Sequence, residues 1–288
     1  MRWEGDRQSD NVDDRRGGGG GGFGFGGRSV GIGTIVIALL GSWLFGVSPT
    51  TILNLLSGGG APVAVQQQPR GTPADDEQTR FVRTVLAHTE DTWAQIFRQH
   101  GSTYRNPTLT LFEGATDTAC GTGQSAMGPF YCPADERIYI DLDFYRTMRE
   151  RFKASGEFAQ AYVIAHEVGH HVQHQLGISG KVHAARERMS ETQANAMSVR
   201  LELQADCFAG VWANRTDQTR RILEQGDVES ALAAASAIGD DALQRQSRGV
   251  VVPDSFTHGS SAQRMRWFTR GIQTGDMEQC NTFEARQL

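Results

Sequence analysis

Residues 157–176 read EFAQAYVIAHEVGHHVQHQL, and this stretch locates the part of the chain most able to do chemistry. Its apolar side chains recur at helical spacing without a proline, which predicts a buried helix over these residues that stops at Gly177. Within it, His166, Glu167 and His170 spell H-E-x-x-H. Residues four apart on a helix differ by about 40° around the axis, so both imidazoles can converge on one ion while Glu167 reaches a water there. The pattern predicts a zinc site.

A third protein ligand is needed, because a catalytic zinc usually keeps its fourth position open for water. The extended pattern H-E-x-x-H-x-x-G-x-x-H does not apply, since Gln173 and Leu176 occupy its glycine and third histidine positions. Downstream, residues 201–209 (LELQADCFA) form a second helical pattern with Glu202 and Asp206 four apart on one face. The alternative is an exposed helical pair of acidic residues.

This second stretch resembles the E-x-x-A-D signature of gluzincin peptidases, in which the Glu ligates zinc and the Asp hydrogen-bonds the first motif histidine. The resemblance implies that Glu202 is the third ligand and that Asp206 orients His166. The sequence ETQAN, which begins at Glu191, is a competing match. Its fifth residue is a neutral asparagine, which is a weaker partner for a ligand histidine than a carboxylate, so Glu202 is preferred.

The resemblance extends beyond the two motifs to most of the chain. The segments that resemble the bacterial putative neutral zinc metallopeptidase family are residues 166–173, residues 202–210, and residues 258–261 followed by Arg264, Trp267 and Phe268. The family resemblance implies an α+β, mainly helical fold: a zincin-like metallopeptidase domain with a small sheet, preceded by one transmembrane helix. It also implies Zn2+ as the cofactor and a protein or peptide as the substrate.

Three further residues are candidates for the site, His258 for catalysis and Tyr139 and Ile140 for substrate binding. His258 can donate to the oxyanion formed during attack, as a downstream histidine or tyrosine often does in gluzincins, or it can belong to a helix-capping turn. Tyr139 and Ile140 lie in the alternating segment 137–141, which precedes the H-E-x-x-H helix. In zincins an edge strand at this place commonly pairs with extended substrate; an ordinary core strand is the alternative.

Other elements follow from local patterns. Helices are expected over residues 76–100 and over the alanine-rich residues 227–244, and a further strand over residues 108–112. Residues 75–288 are long enough for one domain with a sizeable core. The expected metallopeptidase domain therefore spans residues 75–288.

The N-terminal part divides by composition. Residues 1–28 are glycine-rich and predicted to be a disordered cytoplasmic tail, residues 29–57 a transmembrane segment, and residues 58–74 a flexible linker. A cleaved signal peptide is the alternative to the anchor. Arginines in front of the apolar segment predict a single-pass protein in the cell membrane with its catalytic domain on the extracytoplasmic side.

Four cysteines in such an oxidising compartment predict two disulfides among three possible pairings. Cys120 with Cys132 is favoured because it closes a short loop rich in Gly and Pro, and Cys207 with Cys280 because it ties the C-terminal tail to the Glu202 segment. Four free buried thiols are the alternative.

These observations favour a membrane-anchored, zinc-dependent metallopeptidase in which Glu167 assists attack of water on a peptide bond. Two alternatives share the same residues: a catalytically inactive zinc-binding scaffold or assembly factor of the envelope, and a hydrolase of a non-peptide amide in the envelope. The net charge of -5, without a basic stripe, argues against nucleic acid as a partner.

Overall fold

A computed structural model describes residues 1–16, 76–125, 128–151 and 156–288. The described chain is mainly helical with a small sheet, as expected for the α+β class. Its α-helices are α1 (Glu77–Gln99), α2 (Asp143–Arg151), α3 (Glu157–Gln175), α4 (Ile178–Arg186), α5 (Glu191–Arg220), α6 (Asp227–Ala237), α7 (Asp240–Arg248) and α8 (Ser261–Thr274). Two 3-10 turns cover Pro253–Ser255 and Met277–Cys280.

The strands form one mixed sheet and one hairpin. They are β1 (Val12–Asp14), β2 (Thr108–Phe112), β3 (Ala115–Thr118), β4 (Gly121–Gln124), β5 (Phe130–Cys132) and β6 (Arg137–Asp141). In the four-stranded sheet the order is β1-β2-β6-β5, with β1, β2 and β6 parallel and β5 antiparallel at the edge. The strands β3 and β4 form a separate two-stranded antiparallel sheet.

The expected role of β6 as an edge strand is wrong. It is hydrogen-bonded to β2 on one side and to β5 on the other, so no free edge remains along Arg137–Tyr139. Tyr139 and Ile140 are both buried, and the Tyr139 hydroxyl donates to Asp135. These two side chains belong to the core rather than to a substrate surface, and the antiparallel edge is β5.

Local sequence signals set the helix bounds. The predicted helix over residues 157–176 is confirmed as α3, and Gly177 follows its end with φ +71°, a conformation that glycine adopts without strain. Asp76 caps α1 by accepting from the Thr79 N–H at 2.7 Å. The single helix expected over residues 227–244 is instead α6 and α7, separated at Gly239, where a Cβ would lie 2.5 Å from the Ser261 nitrogen.

Small residues let three helices pack closely. A Cβ on Gly169 of α3 would lie 3.0 Å from the Ala205 carbonyl oxygen of α5. On another side of α5, a Cβ on Gly210 would lie 2.3 Å from the Phe268 carbonyl oxygen, and one on Gly271 would lie 2.0 Å from the Cys207 carbonyl oxygen. The sequence therefore allows α3 and α8 to approach the backbone of α5 directly.

The predicted disordered tail is wrong for residues 1–16, which fold onto the rest of the described chain. Val12–Asp14 pair with β2, and the Trp3 ring packs edge-on against Phe81 at 5.4 Å between centroids. The buried Glu90 carboxylate of α1 accepts from Ser9 at 2.5 Å, Asn11 at 2.7 Å and Arg7 at 2.9 Å. The segment satisfies a carboxylate that would be costly to bury alone.

This pairing bears on the expected topology. Because β1 and β2 are hydrogen-bonded neighbours, residues 1–16 belong to the same folded unit as residues 76–288. The predicted transmembrane segment 29–57 and linker 58–74 lie outside the described residues. Among the residues described, no helix combines the length and apolar character that a membrane crossing requires.

Both expected disulfides are confirmed. Cys120 joins Cys132, which ties the β3–β4 hairpin to β5, and Cys207 joins Cys280, which ties the C-terminal segment to α5. The described chain holds no free cysteine.

The N-terminal segment should contribute to stability through Trp3, which is 7% exposed. Trp3→Ala in the full chain removes a buried aromatic ring, so we expect the free energy of unfolding to fall by about 3 kcal/mol. Denaturant unfolding measures this change. Gln8→Ala, at an exposed position of the same segment, should stay within about 0.5 kcal/mol of the parent. Equal stability of the two variants would contradict docking of residues 1–16.

Candidate metal centre

Three side chains from two helices converge at one point. Helix α3 presents His166 and His170 on one face, and α5 presents Glu202 opposite them. The Nε2 of His166 lies 3.3 Å from Glu202 Oε2, and the Nε2 of His170 lies 3.4 Å from Glu202 Oε1. One ligand atom from each residue lies within 4.8 Å of the other two. Within the described residues no other group of His, Cys, Asp or Glu side chains has this arrangement.

These separations suit a tetrahedral metal ion. Two ligand atoms about 2.05 Å from a tetrahedral zinc lie about 3.3 Å apart, which matches the imidazole–carboxylate distances. Two neutral imidazoles and one carboxylate form a ligand set that zinc accepts in hydrolases, with a fourth position left for water. The residues present therefore fit the ion that the sequence predicts.

The first histidine is oriented by a buried acid. His166 donates from Nδ1 to Asp206 Oδ1 at 2.8 Å, which directs Nε2 towards Glu202. Asp206 is fully buried and also accepts from the Tyr162 hydroxyl at 2.6 Å. The structure therefore gives Asp206 the position that the E-x-x-A-D resemblance implies for it.

Arg264 completes this network. It comes from α8 and donates from Nε to Asp206 Oδ2 and from Nη2 to Asp206 Oδ1, both at 2.9 Å, so the pair is bidentate. Burial alone would raise the pKa of Asp206, but the charges of Arg264 and His166 outweigh it and lower that pKa to about 2. Asp206 is thus held as a carboxylate, the form that accepts the His166 proton.

The electrostatics of the ligands favour positive charge between them. Burial alone would lower the pKa of His166, but Asp206 and Glu202 outweigh it and raise that pKa to about 10. Burial would raise the pKa of Glu202, and the two histidines hold it well below its usual range instead. A divalent cation supplies the positive charge that these carboxylates favour while the imidazoles stay neutral.

Glu167 is separate from the ligand set. It is buried next to the cluster on α3, and its carboxylate does not belong to the group whose ligand atoms converge. The buried Tyr145 hydroxyl of α2 has no hydrogen-bond partner among the described residues. Burial and then the Glu167 charge raise the pKa of Tyr145, so its hydroxyl stays protonated near that carboxylate. Sequence periodicity gives no signal for Tyr145.

His258 lies on the loop before α8, and the Asp240 carboxylate is hydrogen-bonded to this loop. The Asp240 carboxylate accepts from the backbone N–H groups of Thr257, His258 and Gly259 at 2.8, 2.6 and 2.9 Å. Its other oxygen lies 3.3 Å from His258 Nδ1. Asp240, and then the more distant Glu202, raise the pKa of His258 against the effects of burial and Arg264. The His258 side chain is 52% exposed on this loop.

Glu191, the competing candidate for the third ligand, lies apart from the ligand group. Glu191 is the first residue of α5, exposed, and eleven positions before Glu202. It does not belong to the ligand group. Its neighbours Ser190 and Gln193 form a capping box, so this stretch has a helix-starting role.

An H-E-x-x-H helix whose two histidines face a glutamate from a second helix defines a candidate zinc centre of the hydrolase type. The model of one family, described as "Putative neutral zinc metallopeptidase", matches residues 1–283. The chain belongs to this family.

Relatives were found among curated proteins. The chain is 51% identical over 290 residues to "Uncharacterized protein YpfJ" of Escherichia coli, which covers 98% of this chain and 99% of that relative. It is 41% identical over 222 residues to "Uncharacterized protein Mb2605" of Mycobacterium bovis and to "Uncharacterized protein Rv2575" of Mycobacterium tuberculosis, with 74% of each chain covered. No solved structure matches the chain.

The two candidate glutamates can be separated by substitution. Glu202→Ala removes one of three ligands, so we expect zinc affinity to fall by several orders of magnitude, as measured by competition with a chromogenic chelator. Glu191→Ala leaves the ligand group intact and should bind zinc as the parent does. If Glu191→Ala loses zinc and Glu202→Ala keeps it, the assignment of the third ligand is wrong.

Proposed function

We propose that this protein is a zinc-dependent metallopeptidase that hydrolyses peptide bonds in protein or peptide substrates. The observation that carries the proposal is the convergence of His166, His170 and Glu202, with Glu167 buried beside them and outside the ligand set. A purely structural zinc site usually has four protein ligands and needs no adjacent base. The mixed sheet, with its antiparallel edge strand β5, supports a zincin-like arrangement.

Zinc, when bound at this centre, supplies a Lewis acid for the scissile carbonyl and makes a bound water more acidic. The residues of the chain provide the rest. Glu167 takes the proton from the attacking water and passes it to the leaving amine. Asp206 and Arg264 keep His166 in the tautomer that offers Nε2 to the metal. His258 donates to the oxyanion that forms on the carbonyl oxygen.

The substrate backbone is proposed to add to β5 rather than to β6. Among the strands that the structure describes, β5 pairs with β6 alone. Its Tyr131 ring contacts His171 and His174 of α3 at 5.4 and 6.1 Å between centroids. An extended peptide bonded to this edge would run beside the helix that carries the metal histidines. Strand addition binds backbone and so tolerates varied sequences.

The working compartment is proposed to be extracytoplasmic. Two disulfides in the described chain support it, because such bonds persist in oxidising environments and are rare in the cytosol. Contact of residues 29–57 with the membrane stays a prediction from their apolar composition.

The role of Glu167 is tested by Glu167→Gln, which keeps the size of the side chain and removes the base. We expect unchanged zinc stoichiometry and a fall in turnover of labelled unfolded casein by about 10²–10⁴-fold. Glu187→Gln, at an exposed position on the same chain, is the matched control. Undiminished cleavage by Glu167→Gln would remove Glu167 as the base.

The same assay separates the alternatives. If the parent protein binds zinc but neither casein nor a peptide library is cut, an inactive envelope scaffold gains support. If non-peptide amides alone are cut, the amide hydrolase does.

His258 gives a pH signature. Asp240 raises the pKa of His258 above the usual 6.5, so the protonated donor is present below that raised pKa and is lost as the pH rises through it. We therefore expect an alkaline limb in kcat/KM. His258→Ala should lower kcat by about 10²–10³-fold, lack that limb and keep zinc. His183→Ala removes an exposed histidine and should change neither kcat nor the pH profile. An unaltered pH profile in His258→Ala would exclude this role.

A further inference from the structure

The second metal histidine is held differently from the first. His170 donates from Nδ1 to Gln173 Oε1 at 2.9 Å, so its partner is a neutral amide one turn further along α3. Gln173 is fully buried. In the sequence, Gln173 rules out the longer histidine motif and is the last residue of the segment 166–173 that carries the family resemblance. Neither observation marks it as a partner of His170.

The orientation of the Gln173 amide is fixed by α5. Its Nε2 donates to the Leu201 carbonyl oxygen at 2.7 Å and to Gln204 Oε1 at 3.1 Å. Both amide hydrogens are therefore used, and only Oε1 is left to accept the His170 proton. A reversed amide would place donors against the Nδ1–H of His170 and an oxygen against the Leu201 carbonyl.

We call the hydrogen-bonded chain from His170 through Gln173 to Gln204 the relay. It continues from Gln204 to a residue that is held by a disulfide. Gln204 is buried and donates from Nε2 to the Cys280 carbonyl oxygen at 3.1 Å. Cys280 is bonded to Cys207, which lies one turn after Gln204 on α5. The disulfide therefore fixes the backbone group that orients the Gln204 amide, and Gln204 in turn presents its Oε1 to Gln173.

We propose that Gln173 and Gln204 are positioning residues for His170, and that the Cys207–Cys280 disulfide anchors their relay. Holding the Nδ1–H directs Nε2 at the point where it lies 3.4 Å from Glu202. This inference rests on the proposed zinc site and deepens it. It assigns to the C-terminal segment a role in metal binding that the ligand set alone does not give it.

The test measures zinc affinity of the full chain by chelator competition, with the Co2+ absorption spectrum as a probe of ligand geometry and thermal unfolding as a control. Gln173→Met removes the acceptor at similar volume and should weaken zinc binding by about 10–100-fold. Gln204→Met should cause a smaller loss, because Leu201 still accepts from Gln173. The double variant should be no worse than Gln173→Met, since both changes act on one relay.

The two disulfides provide a matched pair. Cys207→Ser/Cys280→Ser should weaken zinc binding and alter the Co2+ spectrum. Cys120→Ser/Cys132→Ser removes the disulfide that ties the β3–β4 hairpin to β5, which is separate from the Cys207–Cys280 disulfide, and should leave both unchanged. If the disulfides only stabilise the fold, removing either one should lower the unfolding temperature without changing the zinc affinity.

The outcomes are distinct. If Gln173→Met and Gln204→Met both bind zinc with the affinity of the parent, the relay is refuted while the proposed function stands. If Gln173→Met does not fold, Gln204→Met and the cysteine pairs decide the question by the same affinity measurement. If the parent does not bind zinc, the proposed function fails and the relay fails with it.

Discussion

The close contact between α3 and α5 is the constraint on which the site depends. Gly169, inside the H-E-x-x-H motif, faces Ala205, inside the second motif, and a Cβ at Gly169 would approach the Ala205 carbonyl oxygen to 3.0 Å. The glycine lets two helices come near enough for imidazoles on one to meet carboxylates on the other. Helix α8 packs on α5 in the same way through Gly210 and Gly271, and so brings Arg264 to Asp206.

Charge balance explains why these groups tolerate burial. Taking a carboxylate out of water is costly unless it is paired and hydrogen-bonded. Asp206 meets Arg264 in a bidentate pair and receives two further donors, from Tyr162 and His166. Glu202 pairs with the two imidazoles at 3.3 and 3.4 Å. A divalent cation at that point would balance the charge of Glu202.

Local patterns predict the parts of the structure that depend on near neighbours in sequence. The four-residue spacing of His166 and His170 indicates a shared face, and Gly177 indicates where α3 ends. Contacts between distant segments have no such signal: residues 1–16 are polar and precede a glycine run, yet they complete the sheet and satisfy Glu90. Strand β5 has three residues and is defined by pairing alone. Arg264 reaches Asp206 from another helix, and Gln173 is oriented by Leu201 and Gln204 of α5. Periodicity within one helix reveals neither contact.

The proposed activity depends most on two imidazoles and one carboxylate binding a single zinc ion. X-ray absorption at the zinc edge on the purified, zinc-loaded full chain tests this directly. We expect a four-coordinate ion with nitrogen and oxygen ligands at about 2.0–2.1 Å and scattering from two imidazole rings. Sulfur ligands at about 2.3 Å, or scattering from a single imidazole, would contradict it.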